Sequence, residues 1–376
     1  MGQFCIFNYM PKNKPKKVAV ALSGGVDSAV AAALLKQQGY DCLGLFMKFW
    51  SEPGSKLVNK CCSLDAYNDA RIIAHKLGFP IYTLNFKSDF KKNIVDSFLN
   101  DYSSGLTPNP CVRCNKFIKF GRLLEKAKML GCDYLATGHY VRIVTRNKRQ
   151  ETKKNLSLVT CHLSLKQAKD KQKDQSYFLY TLDQRQLGHL LFHLGNLTKP
   201  QVRQLAKKFM LPVYQKSESQ EICFVPEKDH YSFLKKYLNL KPGTIKNSAG
   251  QILGQHDGLP LYTLGQRQGI KIGGTGPYYV VKLDYKNNVL FVSNNHNDKL
   301  LLTKKFKIKE ANWIAGQSPK NIKGAGVKIR YQAKTIPAKI NNNIVTLQKP
   351  QRAIMPGQSA VFYQGDKLLG GGIITN

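Results

Sequence analysis

The chain has 376 residues and carries 58 Lys and Arg against 23 Asp and Glu, a formal net charge of +35. Hydrophobic residues make up 42% of it, enough to build packed cores, which excludes a disordered basic tail and predicts two or three domains. The positive charge indicates a polyanionic partner such as nucleic acid, or else a lysine-rich composition spread over a solvated surface. No stretch of the sequence reaches the roughly 20 consecutive apolar residues that a membrane span needs.

The first part of the chain alternates between strand and helix patterns. The expected elements lie at 18–22, 29–38, 42–49, 65–77, 81–84, 89–99, 116–130 and 134–137. Buried-strand runs separated by helices of this length are typical of a parallel, doubly wound, Rossmann-like α/β sheet.

The pattern changes twice further along. A polar, lysine-rich stretch at about 146–172 predicts a hairpin or exposed insertion without an obvious core, and a helix follows at 199–209. Short strand patterns then alternate with Gly and Asn turns at 278–283, 289–293, 327–331, 344–347 and 359–363, which indicates a small β-barrel or sandwich. We therefore expect a catalytic domain over 1–220, a small connecting module over 221–261 and a C-terminal β-barrel over 262–376.

Nine cysteines are too few for a disulfide scaffold in a chain of this length. The first residues place an apolar patch before the lysines, the reverse of the order in a secretory signal. We therefore expect a cytoplasmic protein with reduced thiols, in which neighbouring cysteines are reactive or bind metal.

The segment Ser23-Gly24-Gly25-Val26-Asp27-Ser28 stands between the first strand and the first helix. Glycines let the backbone approach an anion closely, and the helix offers free N–H groups at the positive end of its dipole. The serine hydroxyls can donate to phosphate, and Asp27 can help to hold Mg²⁺. A glycine-rich turn without a ligand is the alternative, but two serines and a carboxylate around the glycines favour a phosphate loop. The segment is neither a Walker A loop nor a GxGxxG loop.

Cys111 and Cys114 lie in TPNPCVRCNK, where two prolines fix a loop at the start of a basic helix. The helix N-terminus and the neighbouring cations favour the thiolate form. The spacing fits a redox pair, half of a metal site, or one nucleophile with a neighbour. The adjacent pair Cys61-Cys62 argues against a closed zinc site. Cys223, in SQEICF, would by itself be a core residue.

SGGVDS resembles the pyrophosphate loop of the N-type ATP pyrophosphatases, which adenylate a substrate oxygen and release pyrophosphate. The full series of motifs, in chain order, resembles the tRNA-specific 2-thiouridylase family (MnmA type). That series is SGGVDS, Phe46-Met47-Lys48, TPNPCVRCNKFIKFG, Ala136-Thr137-Gly138-His139-Tyr140, Lys173-Asp174-Gln175-Ser176-Tyr177, EICF, Gly265-Gln266-Arg267 and Pro356-Gly357-Gln358-Ser359. The match runs from about Lys17 to the C-terminus.

This resemblance implies ATP-dependent thiolation of the wobble uridine of tRNA, with Cys114 as the catalytic cysteine and Cys223 as the carrier of a persulfide. The implied ATP-binding residues are Ala21, Leu22, Ser23, Gly24, Gly25, Val26, Asp27, Ser28, Met47 and Gly138. The implied tRNA contacts, of which the first three meet the target base, are Asn109, Pro110, Cys111, His139, Lys173, Asp174, Gln175, Arg330, Tyr331 and Gln358.

The resemblance also implies a sequence of steps. The uracil 2-oxo group attacks the α-phosphate of ATP, with Mg²⁺ near Asp27. Cys223, loaded by an external sulfur donor (a cysteine desulfurase or a relay protein), then delivers sulfur. Cys114 attacks the Cys223 persulfide, which frees the terminal sulfur or leaves a Cys114–Cys223 disulfide that a reductant must reset.

Many relatives carry Asp at the position of Cys111, and a thiol cannot supply the same carboxylate. Either that acid–base role is dispensable or a thiolate fills it. Cys111, Cys114 and Cys223 could also hold an iron–sulfur cluster, which we keep as a minority hypothesis. The rival functions are another tRNA-modifying ATP pyrophosphatase and a non-catalytic tRNA-binding protein.

Overall fold

The structure is a computed structural model that describes residues 15–52, 63–150, 158–217, 222–225, 230–273, 276–318 and 324–375. The strands are β1 (Lys17–Leu22), β2 (Asp41–Lys48), β3 (Ile81–Asn85), β4 (Tyr134–Thr137), β5 (Val141–Gln150), β6 (Leu158–Gln167), β7 (Leu190–Phe192), β8 (Gly243–Asn247), β9 (Ile252–His256), β10 (Tyr279–Asp284), β11 (Val289–Ser293), β12 (Leu302–Trp313), β13 (Ala325–Lys328), β14 (Ile336–Asn341), β15 (Ile344–Arg352), β16 (Ser359–Gln364) and β17 (Lys367–Thr375). The α-helices are α1 (Val26–Gln37), α2 (Leu64–Lys76), α3 (Lys87–Phe90), α4 (Ser97–Ser103), α5 (Pro110–Arg113), α6 (Leu123–Met129), α7 (Gln184–Leu187), α8 (Lys199–Lys208) and α9 (His230–Tyr237). Within the described ranges no helix is both long and apolar enough to cross a membrane.

A five-stranded parallel sheet, in the order β3-β2-β1-β4-β7, forms the N-terminal part. Alternate residues of β1 face opposite sides, so that Ala19 and Ala21 join one core cluster while Val18 and Val20 join another. A strand buried on both faces needs helices on both faces. The predicted doubly wound α/β architecture is confirmed.

Strand order reverses at β1, which has β2 on one side and β4 on the other. Parallel α/β sheets bind ligands in the crevice that opens at such a point, beyond the carboxyl ends of the strands. The phosphate loop follows β1 and Gly138 follows β4, so both lie at this crevice.

Two helical stretches flank the sheet near the cysteines. One runs from α3 through a π-helical turn at Lys91–Asp96 into α4, and the other runs from α5 through a π-helical stretch at Cys114–Arg122 into α6. The sequence predicted helices over 89–99 and 116–130. The first stretch extends beyond its prediction at both ends, and the second begins earlier, at Pro110, and ends at Met129. Cys114 lies where α-helical geometry gives way to π-helical geometry.

The central sheet has the order β10-β11-β8-β9, and β11 pairs with β8 in parallel. The prediction that the runs 278–283 and 289–293 belong to the C-terminal barrel is therefore wrong. Their short, turn-punctuated pattern has the same period as that of barrel strands, so the sequence could not assign them to one sheet or the other.

A closed barrel of six strands follows, in the order β12-β15-β14-β13-β16-β17, and it closes through pairing of β12 with β17. Its interior contains Val327, Val345, Phe362 and Ile374. The predicted C-terminal β-barrel is confirmed.

A hairpin of β5 and β6 leaves the parallel sheet after β4 and joins the barrel, because Leu165 and Lys166 pair with β17. The predicted insertion is thus a hairpin that starts earlier, at residue 141. It does have a core, since Leu165 is fully buried. The guanidinium of Arg142 donates to Asp366 in the β16–β17 turn over 2.7 Å, which fastens the hairpin to the barrel.

Candidate active site

The loop between β1 and α1 is shaped by its own serines. The Ser28 hydroxyl donates to the Gly25 carbonyl at 3.0 Å, accepts from the Ser23 amide at 3.3 Å and lies 3.2 Å from the Ser23 hydroxyl. Gly24 has φ +66°, and a Cβ there would collide with the Ala66 carbonyl of α2. Only glycine fits such a position without strain. Ser28 therefore forms the loop from within, whereas Ser23 is exposed and can reach a ligand.

The N-terminus of α1 suits an anion. Gly25 is extended at the N-cap position, and no side chain caps the first turn. The amide groups of that turn therefore remain available to a phosphate, and the helix dipole favours negative charge there. The described residues fit a polyphosphate at this point.

Other predicted nucleotide contacts surround this loop. Leu22 pairs with Phe46 in the sheet, which places Met47 beside the start of the loop. A Cβ at Gly138 would lie 2.8 Å from the backbone of Asp27 and Ser28. The ends of β1, β2 and β4 therefore converge on the loop. The resemblance to the family implies that these residues hold ATP, and that role stays a prediction.

Two lysines that the sequence analysis missed reach the loop from far along the chain. The Lys199 ammonium lies 2.7 Å and 2.9 Å from the two carboxylate oxygens of Asp27, and the Tyr140 hydroxyl donates to the first of these at 2.7 Å. The Lys216 ammonium donates to the Gly24 carbonyl at 3.0 Å and also pairs with Asp69. Neither lysine belongs to a local motif, and nothing in a single sequence links residues so far apart.

The cysteine loop, Thr107–Cys111, enters the helix that carries both cysteines. Its Asn109 caps α5, since the side-chain oxygen accepts from the Val112 amide at 3.3 Å, and Pro110 occupies the first turn. Both are typical of helix starts. Cys111 is exposed at this start, whereas Cys114, one turn on, is only 9% exposed.

The cysteine loop is held from the barrel. The Gln358 side-chain amide donates to the carbonyls of Thr107 and Pro108 at 3.0 Å and 3.2 Å, and the Thr107 amide donates to the Pro356 carbonyl at 2.9 Å. Gly357, between them, has φ +93° and passes close to Thr107. We name Pro356–Gln358 the barrel turn. Sequence reasoning gave Gln358 a tRNA contact and missed its contacts with the loop.

The segment with Cys223 packs on the same helical layer. Phe224, its neighbour, contacts Phe90 and Phe98 with ring centroids 5.8 Å and 5.2 Å apart. Half-buried Cys223 and buried Cys114 belong to one hydrophobic cluster. The fold therefore places in one core two cysteines that are 109 positions apart in the sequence, and their pairing in the reaction stays a prediction.

The cysteine helix packs on the strand end beside the phosphate loop. Phe120, on the cysteine helix, lies on His139 with 5.5 Å between ring centroids. His139 directly follows Gly138, which approaches the backbone of the phosphate loop. This packing links the helix that carries the cysteines to the anion-binding loop.

Comparison with known proteins identifies the family. Three family models match in succession: a tRNA methyl transferase HUP domain over residues 16–227, a tRNA methyl transferase PRC-barrel domain over 231–294 and an aminomethyltransferase beta-barrel domain over 303–374. The chain is 45% identical over 371 residues to tRNA-specific 2-thiouridylase MnmA 1 of Caldanaerobacter subterraneus subsp. tengcongensis, an alignment that covers 95% of this chain and 97% of that protein. The chain belongs to the MnmA family.

Further relatives in the same family are similar to this chain over almost its full length. The MnmA proteins of Desulforamulus reducens and Clostridioides difficile are 43% and 42% identical, over 96% of this chain and 97% and 98% of their own lengths. The likeness therefore spans all three parts of this MnmA-family chain rather than the nucleotide-binding part alone.

Some residues expected to touch tRNA in this MnmA-family protein lie inside it. His139 is 7% exposed and its Nδ1 is 2.7 Å from the Thr137 hydroxyl, while burial, with Lys119 nearby, holds its pKa well below the ordinary 6.5. Asp174 is buried and accepts from the amides of Ala168 and Ser176. Both side chains support the surrounding backbone in this arrangement.

The neighbours of Asp174 are more accessible. Lys173 and Gln175 are half-buried, and the Gln175 side chain accepts from the Tyr140 amide at 2.9 Å. This contact ties the segment to the strand end beside the phosphate loop. The predicted tRNA contacts of both residues stay predictions.

Arg330 and Tyr331 are better placed to meet a ligand. Arg330 is exposed, and its guanidinium donates to the carbonyls of Arg352 and Ala353. The centre of the half-buried Tyr331 ring lies 4.4 Å from that of the Phe178 ring. Burial raises the pKa of Tyr331, and nearby Cys111 raises it further. An aromatic surface therefore adjoins the exposed cysteine of the loop.

The iron–sulfur alternative receives no support from the side-chain arrangement. Across the described ranges, no group of three His, Cys, Asp or Glu side chains is arranged to hold a metal ion. Cys111, Cys114 and Cys223 all lie within those ranges, and the iron–sulfur alternative stays a prediction. The predicted pair Cys61-Cys62 lies outside the described residues.

Proposed function

We propose that this protein is a tRNA-uridine 2-sulfurtransferase, an enzyme that replaces the 2-oxygen of the wobble uridine by sulfur at the cost of ATP. The observation that carries the proposal is the packing of the cysteine helix, through Phe120, on His139 beside the phosphate loop, in a chain whose relatives are named tRNA-specific 2-thiouridylases. ATP activates the oxygen, and cysteines supply the sulfur.

The phosphate loop supports the activation step. Its free amide groups and the positive end of α1 favour the charge that develops on departing pyrophosphate, and exposed Ser23 can donate to it. The uracil 2-oxygen forms a bond to the α-phosphorus as the bond to pyrophosphate breaks. Adenylation turns a poor leaving oxygen into a good one.

The cysteines support the replacement step. The terminal sulfur of a Cys223 persulfide attacks the activated carbon, and AMP leaves with the original oxygen. The Cys114 thiolate then attacks the inner sulfur of Cys223, which frees the 2-thiouridine sulfur and leaves a Cys114–Cys223 disulfide. A reductant supplies two electrons and two protons to restore both thiols.

The partners follow from this chemistry. A sulfur-donor protein, either a cysteine desulfurase or a relay protein, must load Cys223. Mg²⁺ would accompany ATP near Asp27, whose side chain is 32% exposed and so still reaches solvent beside its Lys199 pairing. We propose the cytoplasm as the compartment, because the disulfide must be reduced after each turnover.

The cysteine loop supports recognition of a single base. A uridine must leave its stack to reach this crevice, and unstacked bases are commonly held between aromatic rings. Tyr331 and Phe178 offer such rings next to Cys111, and Asn109 and Pro110 form the adjacent loop. Cys111 cannot act as a carboxylate, so we assign it contact with the base rather than proton transfer.

The test is a reconstituted reaction of the full chain with unmodified tRNA, ATP, Mg²⁺ and a persulfide donor, read by nucleoside mass spectrometry. We expect 2-thiouridine from the parent chain, none from Cys114→Ser or Cys223→Ser, and tRNA-dependent AMP formation from all three. Cys132→Ser, at a buried core cysteine, is the matched control and should retain thiolation.

Other products would decide against the proposal. A methylated nucleoside would favour the activity that two of the family-model descriptions name, and a different thiolated base would indicate another ATP pyrophosphatase. Binding of tRNA without AMP formation would leave a non-catalytic binding protein. Full thiolation by either cysteine variant would remove that cysteine from the mechanism.

A further inference from the structure

The negative charge of Asp27 lies in a loop that is proposed to bind polyphosphate, which is itself negatively charged. It lies in the first turn of α1, where the helix dipole would otherwise attract an anionic ligand. An uncompensated carboxylate here would repel phosphate groups at a distance of a few ångströms. Its charge therefore needs to be neutralised before a polyanion can bind.

Lys199 supplies that neutralising charge. Its ammonium contacts both carboxylate oxygens, at 2.7 Å and 2.9 Å, and it lies 6.0 Å from the centre of the Tyr140 ring. The Lys199 side chain is only 10% exposed, against 32% for Asp27. The lysine therefore lies behind the carboxylate, on its protein side, rather than in the open crevice.

The fold fixes Lys199 at this place. It begins α8, where Thr198 forms a capping box with Gln201, and its backbone amide donates to Asp170 at 2.9 Å. Because the backbone is held independently of Asp27, the ammonium is presented to the loop rather than drawn there by the carboxylate.

We infer that Lys199 is a positioning residue that neutralises Asp27 and so allows the phosphate loop to accept ATP. This rests on the proposed function, because it assumes that ATP is the ligand of the loop. Lys199 acts through Asp27 and makes no contact with the reacting atoms. The inference assigns a role in nucleotide affinity to a residue remote from both recognisable motifs.

The experiment measures equilibrium binding of ATP to the full chain without tRNA and with EDTA, so that Mg²⁺ does not contribute. We expect Lys199→Met to weaken binding by about tenfold or more, since it leaves the Asp27 charge uncompensated next to the phosphates. The double variant Lys199→Met/Asp27→Asn should bind ATP within about threefold of Asp27→Asn alone, because the charge to be compensated is then absent. Lys207→Met, at an exposed lysine of the same helix, is the matched control and should bind like the parent chain.

ATP binding by the double variant Lys199→Met/Asp27→Asn shows whether Lys199 acts through the charge of Asp27. If the double variant binds as weakly as Lys199→Met, the ammonium itself contacts phosphate or merely maintains the fold, and the inference is overturned. Normal binding by Lys199→Met would also overturn it. Failure of the parent chain to bind ATP at all would overturn the proposed function, and the inference with it, whereas the first two results would leave the proposed function intact.

Discussion

The phosphate loop and the cysteine loop are held in place by different kinds of contact. Hydrogen bonds between Ser23, Gly25 and Ser28 shape the phosphate loop. Two lysines, Lys199 and Lys216, also donate to it. The cysteine loop depends on the barrel turn, about 250 residues further along the chain. The first loop is therefore a local feature, and the second is a product of tertiary structure. Substitutions in the barrel should accordingly disable the second loop while sparing the first.

The largest effect should come from the phosphate loop itself. Gly24→Ala places a Cβ against the Ala66 carbonyl at φ +66°, so that the backbone must shift. We expect tRNA-dependent AMP formation to fall by about a hundredfold, since misplacement by about 1 Å at a reacting centre costs that much. Gly39→Ala, with φ +80° but no atom within 4 Å of the new Cβ, is the control. It should cost about 1 kcal/mol of stability and leave AMP formation unchanged. Equal losses in both variants would mean that the loop is no more sensitive than an ordinary turn.

A smaller effect is expected at the barrel turn. Gly357→Ala places a Cβ 2.8 Å from the Thr107 amide nitrogen, at φ +93°. Thiolation should fall by about tenfold as the cysteine loop moves, while ATP affinity stays at the parent value. Gly365→Ala, in the same barrel at φ +58° and with no atom within 4 Å of the new Cβ, should thiolate normally. If ATP affinity fell together with thiolation, the two loops would not be independent.

The smallest effect concerns His139, which packs on the cysteine helix beside the phosphate loop. Burial keeps its folded-state pKa well below 6.5, so the unfolded chain binds a proton there that the folded chain does not. The free energy of unfolding should therefore decrease as the pH falls below about 6.5, by up to about 1.4 kcal/mol for each pH unit. Denaturant titrations at pH 7 and pH 5.5 measure this decrease, and it should be smaller in His139→Asn. An unchanged slope in the variant would show that other groups, such as half-buried His193, dominate the acid sensitivity.

The difference between the two loops also explains what the sequence could predict. Val18–Leu22, the following glycine loop and the alanine-rich α1 are contiguous, so period and composition were sufficient to predict strand, loop and helix. Period and composition were also sufficient to predict the strand β4 and the presence of a C-terminal β-barrel. Cys114 and Cys223 were identified only through the resemblance to a family, because no local rule relates residues 109 positions apart.

The remaining features arise from contacts between distant segments. Nothing in the sequence around Lys199 marks it as a partner of Asp27, and nothing around Gln358 marks it as a support for Thr107. His139 and Asp174 were expected to contact tRNA because the resemblance to the family implies it. The structure buries both side chains, which a single sequence does not report, and their tRNA contacts stay predictions. The strands β10 and β11 were assigned to the wrong sheet because their pattern has the same period as that of the barrel strands.

The β5–β6 hairpin has a consequence for how the protein is made. Its strand β6 emerges with the N-terminal part of the chain, but its neighbour β17 is synthesised only after the barrel strands β12 to β16. Until then, β6 presents an unpaired edge, the kind of surface on which other chains can add strands. Premature termination anywhere in the barrel would leave that edge permanently open. Chains that end within the barrel should therefore aggregate more readily than the full chain.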